Sequence, residues 1–452
     1  MLARPHICKV FGPKPQYIHY LWTSIIRPAI TYASFVWFGA CDKQYVINKL
    51  YSLQRLALTL ITPIRTKSPG HTLEILYGVM PLDLYIKKLA YTAYFRINPE
   101  IDWVPMGVSP EYLGHIRAIQ SRLPSSLKDI VVDKIPKKRY WDQNYNIKIG
   151  SGITNYSGEY NCYTDGSLLN NKSGCGAFNR YKEEPFACIV ERIYGSTVYQ
   201  AELRAIQLAS ELVIKQIKPN ESVTFHVDNQ ASLKALNSLD FDQISVINTR
   251  NSLIKLGNLA KKVTLTWVRA HNGNCDNEKA DEMAKKATLK NKIDCYAPVA
   301  MSTIKFKLKV LLTEEWEERW QNLKFHRQSK LFLNTVKFND WKMLLKYDKN
   351  VLGRLVRFVT GHCFLRRHNA IIASGINPPP RDEQIFPQLC RLCGEEDETA
   401  IHIIAECNAF CEWRYSTLDE PLLDLFNPGW TVCGLAKFLT NRDIILLEAE
   451  DT

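Results

Sequence analysis

The central part of this 452-residue chain is predicted to form an α/β domain with a mixed five-stranded sheet and flanking helices. Short runs of alternating apolar and polar residues predict the strands, and longer apolar stripes at helical spacing predict the helices. Three strands precede the first helix and later strands alternate with helices, an order typical of a mixed sheet. Helical regions are expected on both sides of this domain.

The first predicted strand ends at the turn Asp165-Gly166-Ser167, where a hairpin is expected. The first helix of the domain carries Glu202 in its first turn and an apolar stripe behind it. Later helices are expected to begin near Gln230 and near Asn277. The five strands are expected at 160–164, 175–178, 187–190, 223–227 and 263–268.

Four carboxylates stand where these strands end or helices begin, and they are Asp165, Glu202, Asp228 and Asp281. Acids at such places can converge on one side of a sheet. Two Mg²⁺ ions about 3.5–4 Å apart, bound by such oxygens, would contact the attacking and leaving oxygens of a phosphoryl transfer, with Mn²⁺ as an alternative ion. Each acid taken alone could equally be a cap, a turn residue or part of a solvated face.

His271 adds a candidate proton carrier, because it follows the last predicted strand in a polar loop. Imidazole titrates near neutral pH, so such a side chain can move a proton to or from a leaving group.

These residues resemble the type 1 ribonuclease H family. The segments YTDGS, QAELRAI, VDNQAS and AHNGN…DNEKADEMAKKA stand in the family's order over about residues 158–290. The resemblance implies cleavage of the RNA strand of RNA–DNA hybrids, leaving 3′-hydroxyl and 5′-phosphate ends. It implies Asp165, Glu202, Asp228 and Asp281 as metal ligands, His271 as a mobile proton carrier, and Gly166, Ser167 and Gln230 as substrate-binding residues.

The chain departs from the family pattern in three places. Ala270 and Asp276 stand where glycines are usual, and Val198 and Tyr199 replace polar residues before the helical glutamate. The short segment before Asp281 leaves little room for the basic insert with which some members grip the substrate. Hybrid binding would then depend on other parts of the chain, and a degenerate, inactive site is the alternative.

The net charge of +12 and the sequence pI near 9.0 predict a polyanionic partner. Residues 301–370 hold 15 lysines and arginines against 6 acidic residues, together with ten aromatic residues. Such aromatics either stack on unpaired bases or form the core of a helical region with a solvated basic face. Both interpretations stay open for Trp316, Trp320, Phe325, Trp341 and Phe358.

The 13 cysteines and the absence of a signal-like N-terminus favour a reducing compartment, nuclear and/or cytoplasmic. The longest apolar run, 20–40, is interrupted by Arg27 and Pro28 and is expected to be a buried helix rather than a membrane span. The basic run 134–139 is either a nuclear address or a solvated linker.

A second motif lies near the C-terminus, where Cys390, Cys393, His402 and Cys407 have a spacing typical of zinc ligands. Three sulfurs and one nitrogen suit tetrahedral Zn²⁺ with no open position, hence a structural site. Cys411 is a substitute ligand candidate, and ordinary buried thiols are the alternative. The neighbouring acidic loop 395–398 would repel phosphate.

The segment CRLCGEEDETAIHIIAEC resembles the C-terminal Cys-Cys-His-Cys segment of non-LTR (jockey-like) retrotransposon polyproteins. The helical stretch LVRFVTGHCFLRRHN resembles the one before it in those proteins, and IHYLWTSIIRPAITYASFVWFG resembles their reverse transcriptase thumb side. No adjacent pair of aspartates occurs, so the polymerase palm is expected to be absent and no polymerase activity is expected.

The sequence therefore predicts an endoribonuclease that acts on RNA–DNA hybrids, with single-stranded RNA as a further candidate partner and no membrane. A non-catalytic nucleic-acid-binding remnant, a domesticated scaffold and a zinc-assembled interaction protein are the alternatives. The expected regions are a thumb-like helical region 1–110, a linker 111–155, the ribonuclease domain 156–290, a basic helical region 300–375, a zinc segment 385–415 and a tail 416–452.

Overall fold

A computed structural model of the chain describes 12–62, 64, 68–97, 110–134, 138–139, 143–150, 158–269, 274–337, 339–382, 384–385, 387–424 and 431–449. His271 and positions 135–137 of the basic run lie outside these residues. The chain divides into two compact units, one formed by Met1–Tyr91 with Leu308–Thr452 and the other by Thr92–Lys307.

The N-terminal segment is helical, as expected. Pro28, which cannot donate a backbone hydrogen bond, follows a π-helical turn, Leu21–Ile26, that joins two short helices. A 3-10 turn covers Phe38–Asp42. The helices of this segment are α1 (Pro15–Tyr20), α2 (Arg27–Ile30), α3 (Ser34–Trp37), α4 (Gln44–Leu58), α5 (Gly70–Leu76) and α6 (Leu82–Ile97).

The middle of the chain contains strands and helices in alternation. They are α7 (Pro110–Arg122), α8 (Ser125–Lys128), β1 (Lys138–Arg139), β2 (Asn146–Lys148), β3 (Tyr160–Leu169), β4 (Lys172–Tyr181), β5 (Glu184–Tyr194), α9 (Val198–Ile214), β6 (Ser222–Val227), α10 (Gln230–Asn237), β7 (Asp240–Phe241), α11 (Ile244–Leu259), β8 (Lys262–Trp267), α12 (Cys275–Leu289) and β9 (Cys295–Tyr296).

The C-terminal part is helical, with a π-helical turn at His402–Glu406 and a 3-10 turn at Asn408–Phe410. Its helices are α13 (Met301–Asn322), α14 (Arg327–Phe332), α15 (Trp341–Leu344), α16 (Lys349–Thr360), α17 (Arg366–Ser374), α18 (Cys411–Leu418), α19 (Val432–Phe438) and α20 (Arg442–Ala449). None of the helices in the described residues has both the length and the apolar character that a membrane crossing requires.

The main sheet is mixed, as expected, but it has seven strands rather than five. Their order is β2-β8-β6-β3-β4-β5-β9, with β3, β4 and β5 antiparallel and the remaining pairs parallel. The two additional strands, β2 and β9, lie at the edges and have three and two residues. Such short strands show no alternation in the sequence, and β2 lies in the segment expected to be a linker. That segment also contains α7, α8 and β1, which pairs with β7 in a separate small sheet.

The hairpin turn is not at Asp165-Gly166-Ser167. Strand β3 continues through these residues, and the turn lies at Asn170 and Asn171, whose φ angles are 49° and 59°. Asparagine tolerates this left-handed conformation better than most residues, so the turn forms there. Asp165 is therefore in the interior of a strand, paired with Gly176 of β4.

Helices cover both faces of the sheet. A Cβ on Gly176 would meet Ala284 and Ala280 of α12, whereas a Cβ on Gly166 would meet Glu202 and Ala201 of α9. Because Asp165 pairs with Gly176, its side chain projects to the α12 face, and the next residue, Gly166, faces α9. Helix α11 packs on α9 and completes the layer that covers the main apolar core.

The N-terminal helices and the C-terminal helices, expected as separate regions, form one unit. Thr72 Oγ1 donates to Ser329 Oγ at 2.9 Å, and Lys87 Nζ lies 2.8 Å from a carboxylate oxygen of Glu315. The aromatics of the basic region support the core interpretation: Trp316, Trp320 and Phe358 are buried, Trp341 is half-buried, and only Phe325 of the five is largely exposed.

Candidate active site

Three of the four predicted carboxylates meet beside the middle of β3, where its neighbour β6 ends. Asp165 lies on β3, and Asp228 directly follows β6, its parallel neighbour. Glu202 reaches the same place from α9. One oxygen from each of the three carboxylates can be chosen so that all lie within 4.8 Å of one another. The structure thus brings together acids that are 63 positions apart along the chain at their extremes.

The first turn of α9 is fixed by a capping box. Thr197 Oγ1 accepts a hydrogen bond from the backbone N–H of Gln200, and Gln200 Oε1 accepts one from the backbone N–H of Thr197. Glu202, expected within the first turn, lies just beyond it, at the fifth residue of the helix. Gly166 lets this turn approach β3, because a Cβ there would lie only 2.6 Å from the backbone nitrogen of Glu202. The placement of Glu202 therefore depends on a glycine in the opposite strand.

The carboxylates are costly to ionise where they stand. Burial, followed by the negative charges of Asp228 and Asp281, raises the pKa of Asp165 to about 7. Burial, followed by Asp165 and Asp228, raises the pKa of Glu202 well above its ordinary value. Both acids are nearly inaccessible, with exposed fractions of 9% and 3%. A cation at this position would offset both the burial and the repulsion.

The residues present fit divalent cations that prefer oxygen ligands. Glu202 Oε2 is buried and has no hydrogen-bond partner among the described residues. An unpaired buried carboxylate oxygen is unfavourable unless a ligand reaches it. Carboxylate oxygens from three elements, with one oxygen left open, are a suitable ligand set for Mg²⁺ or Mn²⁺.

Asp281, the fourth predicted acid, is not in this group of three. It lies on α12, half-buried, and its Oδ2 accepts a hydrogen bond from Lys285 Nζ at 2.6 Å. Its charge nevertheless contributes to the raised pKa of Asp165, so Asp281 is near enough to act on the site electrostatically. The hydrogen bond to Asp281 in turn raises the pKa of Lys285.

The predicted substrate-binding residues surround the cluster. Ser167 is half-buried and two positions along β3 from Asp165, hence on the same face, and Gln230 is half-buried at the first position of α10. Two contacts near Asp228 were not expected. Asn229 caps α10 by accepting from the backbone N–H of Ser232, and Trp267 Nε1 donates to the carbonyl oxygen of Asp228 at 3.0 Å. An asparagine before a helix start is a recognisable cap, but nothing in the sequence indicated the tryptophan contact.

The zinc motif forms a second cluster. The ligand atoms of Cys390, Cys393, His402 and Cys407 lie within 4.8 Å of one another, and Cys411 is not in this group. The sulfurs of Cys390 and Cys407 are 3.9 Å apart, and Cys393 Sγ is 3.3 Å from His402 Nε2. Two sulfurs bound at about 2.3 Å to one tetrahedral ion would lie about 3.8 Å apart, so the cluster fits Zn²⁺.

The acidic loop beside this cluster is partly used in ion pairs. Glu398 is fully buried and accepts hydrogen bonds from the guanidinium of Arg391, with a shortest distance of 2.6 Å. Asp397 pairs with Arg367 at 2.5 Å and with Arg381 at 2.6 Å. Two of its four acids therefore hold the segment together rather than repel phosphate.

The comparisons with known proteins concern the unit that holds the carboxylates. The RNase H family model matches residues 157–289. Ribonuclease H of Campylobacter jejuni is 29% identical over 142 residues, covering 28% of this chain and 90% of that protein. Ribonuclease H of Francisella tularensis subsp. novicida is 30% identical over 139 residues, covering 28% of this chain and 88% of that protein. The solved structure of RNase H1 from Halobacterium salinarum is 22% identical with a TM-score of 0.24, covering 28% of this chain and 96% of that one.

Proposed function

Through residues 157–289 this chain belongs to the ribonuclease H family, and from that premise we propose that it hydrolyses the RNA strand of RNA–DNA hybrids by two-metal catalysis. The observation that carries the proposal is the convergence of Asp165, Glu202 and Asp228 within 4.8 Å, with one buried oxygen of Glu202 left open. Such a constellation suits a phosphodiester hydrolase, and the family membership specifies the substrate class.

In the proposed mechanism Asp165, Glu202 and Asp228 would hold the divalent cations, and Asp281 would complete the ligand set from α12. When bound, such cations would make water a better nucleophile at neutral pH and would offset the negative charge that develops on the phosphate. The buried positions of Asp165 and Glu202 keep their oxygens oriented and exclude water from that side of the site.

The remaining residues position the substrate and move protons. Ser167 and Gln230 flank the carboxylates and are proposed to contact the RNA strand, together with the backbone at Gly166. Contact with the 2′-hydroxyl would distinguish RNA from DNA. His271, which lies outside the described residues, is proposed as the carrier that delivers a proton to the 3′-oxygen leaving group.

The unit formed by the N-terminal and C-terminal helices is proposed to carry one structural Zn²⁺ at Cys390, Cys393, His402 and Cys407. The motifs on either side of the ribonuclease unit support an origin in the C-terminal part of a non-LTR retrotransposon polyprotein. A non-catalytic nucleic-acid-binding remnant is the second candidate, favoured by the net charge of +12.

A panel of duplexes with one base sequence tests the substrate class. The purified full chain is incubated with Mg²⁺ and an end-labelled RNA–DNA hybrid, an RNA duplex or a DNA duplex. We expect cleavage of the RNA strand of the hybrid and intact strands in both other duplexes. An uncut hybrid that the chain still shifts in a native gel would overturn the enzyme proposal and support the second candidate.

A further inference from the structure

A buried polar cluster ties both flanks of the family-matched segment to the helix that carries Glu202. Asp133 lies before residues 157–289 and Pro298 lies after them, yet both contact Gln200 of α9. Gln200 is two positions before Glu202 and only 3% exposed. All of these residues belong to the unit Thr92–Lys307.

Both the nitrogen and the oxygen of the Gln200 side-chain amide make two hydrogen bonds. Its Nε2 donates to Asp133 Oδ2 at 2.8 Å and to the carbonyl oxygen of Pro298 at 2.7 Å. Its Oε1 accepts from the backbone N–H of Thr197 at 2.9 Å and from Thr197 Oγ1 at 3.1 Å. One side chain therefore connects the start of α9 with two segments that are remote in sequence.

Asp133 links α9 to the start of α11. Its Oδ1 accepts from the backbone N–H of Ser245 at 3.0 Å, and its Oδ2 accepts from Ser245 Oγ at 2.6 Å. The residue before α11, Gln243, supplies no side-chain cap, so this distant carboxylate takes the capping role. The helix N-terminus and three hydrogen bonds compensate the buried negative charge of Asp133.

The two flanks also bind each other. Val132 and Val299 form a parallel β-bridge. The backbone N–H of Asp133 donates to the carbonyl oxygen of Val299 at 2.9 Å, and the backbone N–H of Val299 donates to the carbonyl oxygen of Val131 at 2.7 Å. The backbone N–H of Ala297 donates to Tyr194 of β5 at 3.0 Å. The segments that Gln200 contacts are thus held by backbone hydrogen bonds to each other and to β5.

We propose that Gln200 and Asp133 are positioning residues for Glu202, and that segments 131–134 and 297–299 hold the first turn of α9 in the geometry that metal binding requires. This inference rests on the proposed function for its link to catalysis. Hydrogen-bonded partners behind metal ligands commonly change metal affinity by about 10–100-fold when they are lost. Gln200→Ala removes the connection to both flanks and the hydrogen bonds with Thr197 without removing any carboxylate group.

The test compares full-length Gln200→Ala and Asp133→Ala with the matched control Asn144→Ala. Asn144 is also outside the family match and also tethers α11, but its side-chain amide donates to Ile254 and Asn258 of that helix rather than to α9. Amide hydrogen exchange of peptides covering 198–206, calorimetric titration with Mn²⁺ alone and hybrid cleavage are measured for each protein. We expect about tenfold faster exchange, about tenfold weaker Mn²⁺ binding and an unchanged KM for hybrid in the two test variants, with wild-type values in the control.

The double variant Gln200→Ala/Asp133→Ala should change exchange and Mn²⁺ affinity by less than the sum of the two single variants, because the Gln200–Asp133 hydrogen bond is lost in all three. Unchanged exchange and Mn²⁺ affinity in Gln200→Ala would overturn the inference, as would equal changes in the control. If Asp133→Ala does not fold, Gln200→Leu replaces it and the same criteria apply. A wild-type chain that binds Mn²⁺ but cleaves no hybrid would contradict the proposed function while the exchange and titration results still decide this inference.

Discussion

Asp165 and Glu202 are the residues of the site whose carboxyl groups are hardest to ionise, because the pKa of each is raised. Burial is the first cause of the raised pKa of each, and neighbouring carboxylates are the second. Charging buried groups of like sign opposes folding unless a cation offsets it. These residues are therefore suited to bind cations rather than to stabilise the metal-free chain.

Asp165→Asn is expected to stabilise the magnesium-free protein at pH 8 while it abolishes hybrid cleavage. The pKa of Asp165 is raised to about 7 in the folded chain, so between about 4 and 7 the folded state binds more protons than the unfolded state. Its stability then falls as pH rises through this range. Removing the carboxylate should add on the order of 2 kcal/mol at pH 8 and little at pH 4.

Hydrogen exchange of β3 peptides in magnesium-free buffer without chelator, at both pH values, measures this effect and leaves bound zinc in place. Asp276→Asn is the control. Asp276 lies on α12 and pairs with Arg180 and Lys279, so its loss should not stabilise the chain at pH 8. A destabilised Asp165→Asn variant at pH 8 would contradict the electrostatic account.

Among the elements, β3 and α9 are held at close approach by Gly166. In Gly166→Ala the new Cβ would lie 2.6 Å from the backbone nitrogen of Glu202, so α9 must shift. Overpacking of this kind costs about 1–3 kcal/mol, and a displaced ligand helix should lower the hybrid cleavage rate by at least tenfold. Denaturant unfolding and single-turnover cleavage measure the two effects.

Gly114→Ala is the control for this prediction, since Gly114 is in α7 and a Cβ there meets nothing within 4 Å. Alanine is the better helix former, so Gly114→Ala should be neutral or slightly stabilising, with normal cleavage. A wild-type rate of hybrid cleavage in Gly166→Ala would show that catalysis does not require the close contact between α9 and β3.

Long alternating or striped segments could be recognised from the sequence, and β3, β6, β8, α9 and α12 appear where such patterns predicted them. The full length of β3 could not be predicted from the sequence, because YTDGS has the composition of a turn. In the structure, pairing with β4 keeps Asp165 and Gly166 in the sheet. The edge strands β2 and β9 were missed because pairing, not residue pattern, defines strands of two or three residues.

At the scale of the whole molecule, the sequence did not indicate that the two ends of the chain share one unit. The contacts that join them, such as Asp83 with Arg319 at 2.5 Å, pair ordinary surface residue types far apart in sequence. Within the C-terminal part, buried ion pairs of Arg354 and Arg357 with Glu448 join α16 to α20, again between residues far apart in sequence. The zinc motif could be recognised from the sequence because its four ligands lie close together along the chain. The residues of these ion pairs do not.

Loss of zinc should destabilise this unit selectively. Cys390→Ser removes one of the four proposed ligands, so the variant should hold less than one Zn²⁺ per chain and lose at least ~3 kcal/mol of stability in the helices around it. Metal analysis and hydrogen exchange of 387–418 check both expectations. Cys411→Ser, which alters a half-buried cysteine outside the cluster, should keep its zinc. Full zinc content in Cys390→Ser would rule out the proposed ligand set.

The residues of the carboxylate site were identified from the sequence, but their geometry was not. The motifs gave Asp165, Glu202, Asp228 and Asp281, and the structure places the first three together and Asp281 beside Lys285. The dependence of α9 on Gln200 and Asp133 could not be predicted, because Asp133 lies in a segment with the composition of a linker.

The most direct test of the carboxylate site is single-turnover cleavage of an end-labelled RNA–DNA hybrid in Mg²⁺ by wild type, Glu202→Gln and Glu211→Gln. Glu211 lies on the same helix, outside the cluster, and accepts a hydrogen bond from Gln207 at 2.8 Å. We predict that Glu202→Gln lowers the cleavage rate at least about 100-fold, equivalent to about 2.7 kcal/mol, and that Glu211→Gln stays within about threefold of wild type. Equal rates for wild type and Glu202→Gln would contradict the assignment of catalysis to this cluster.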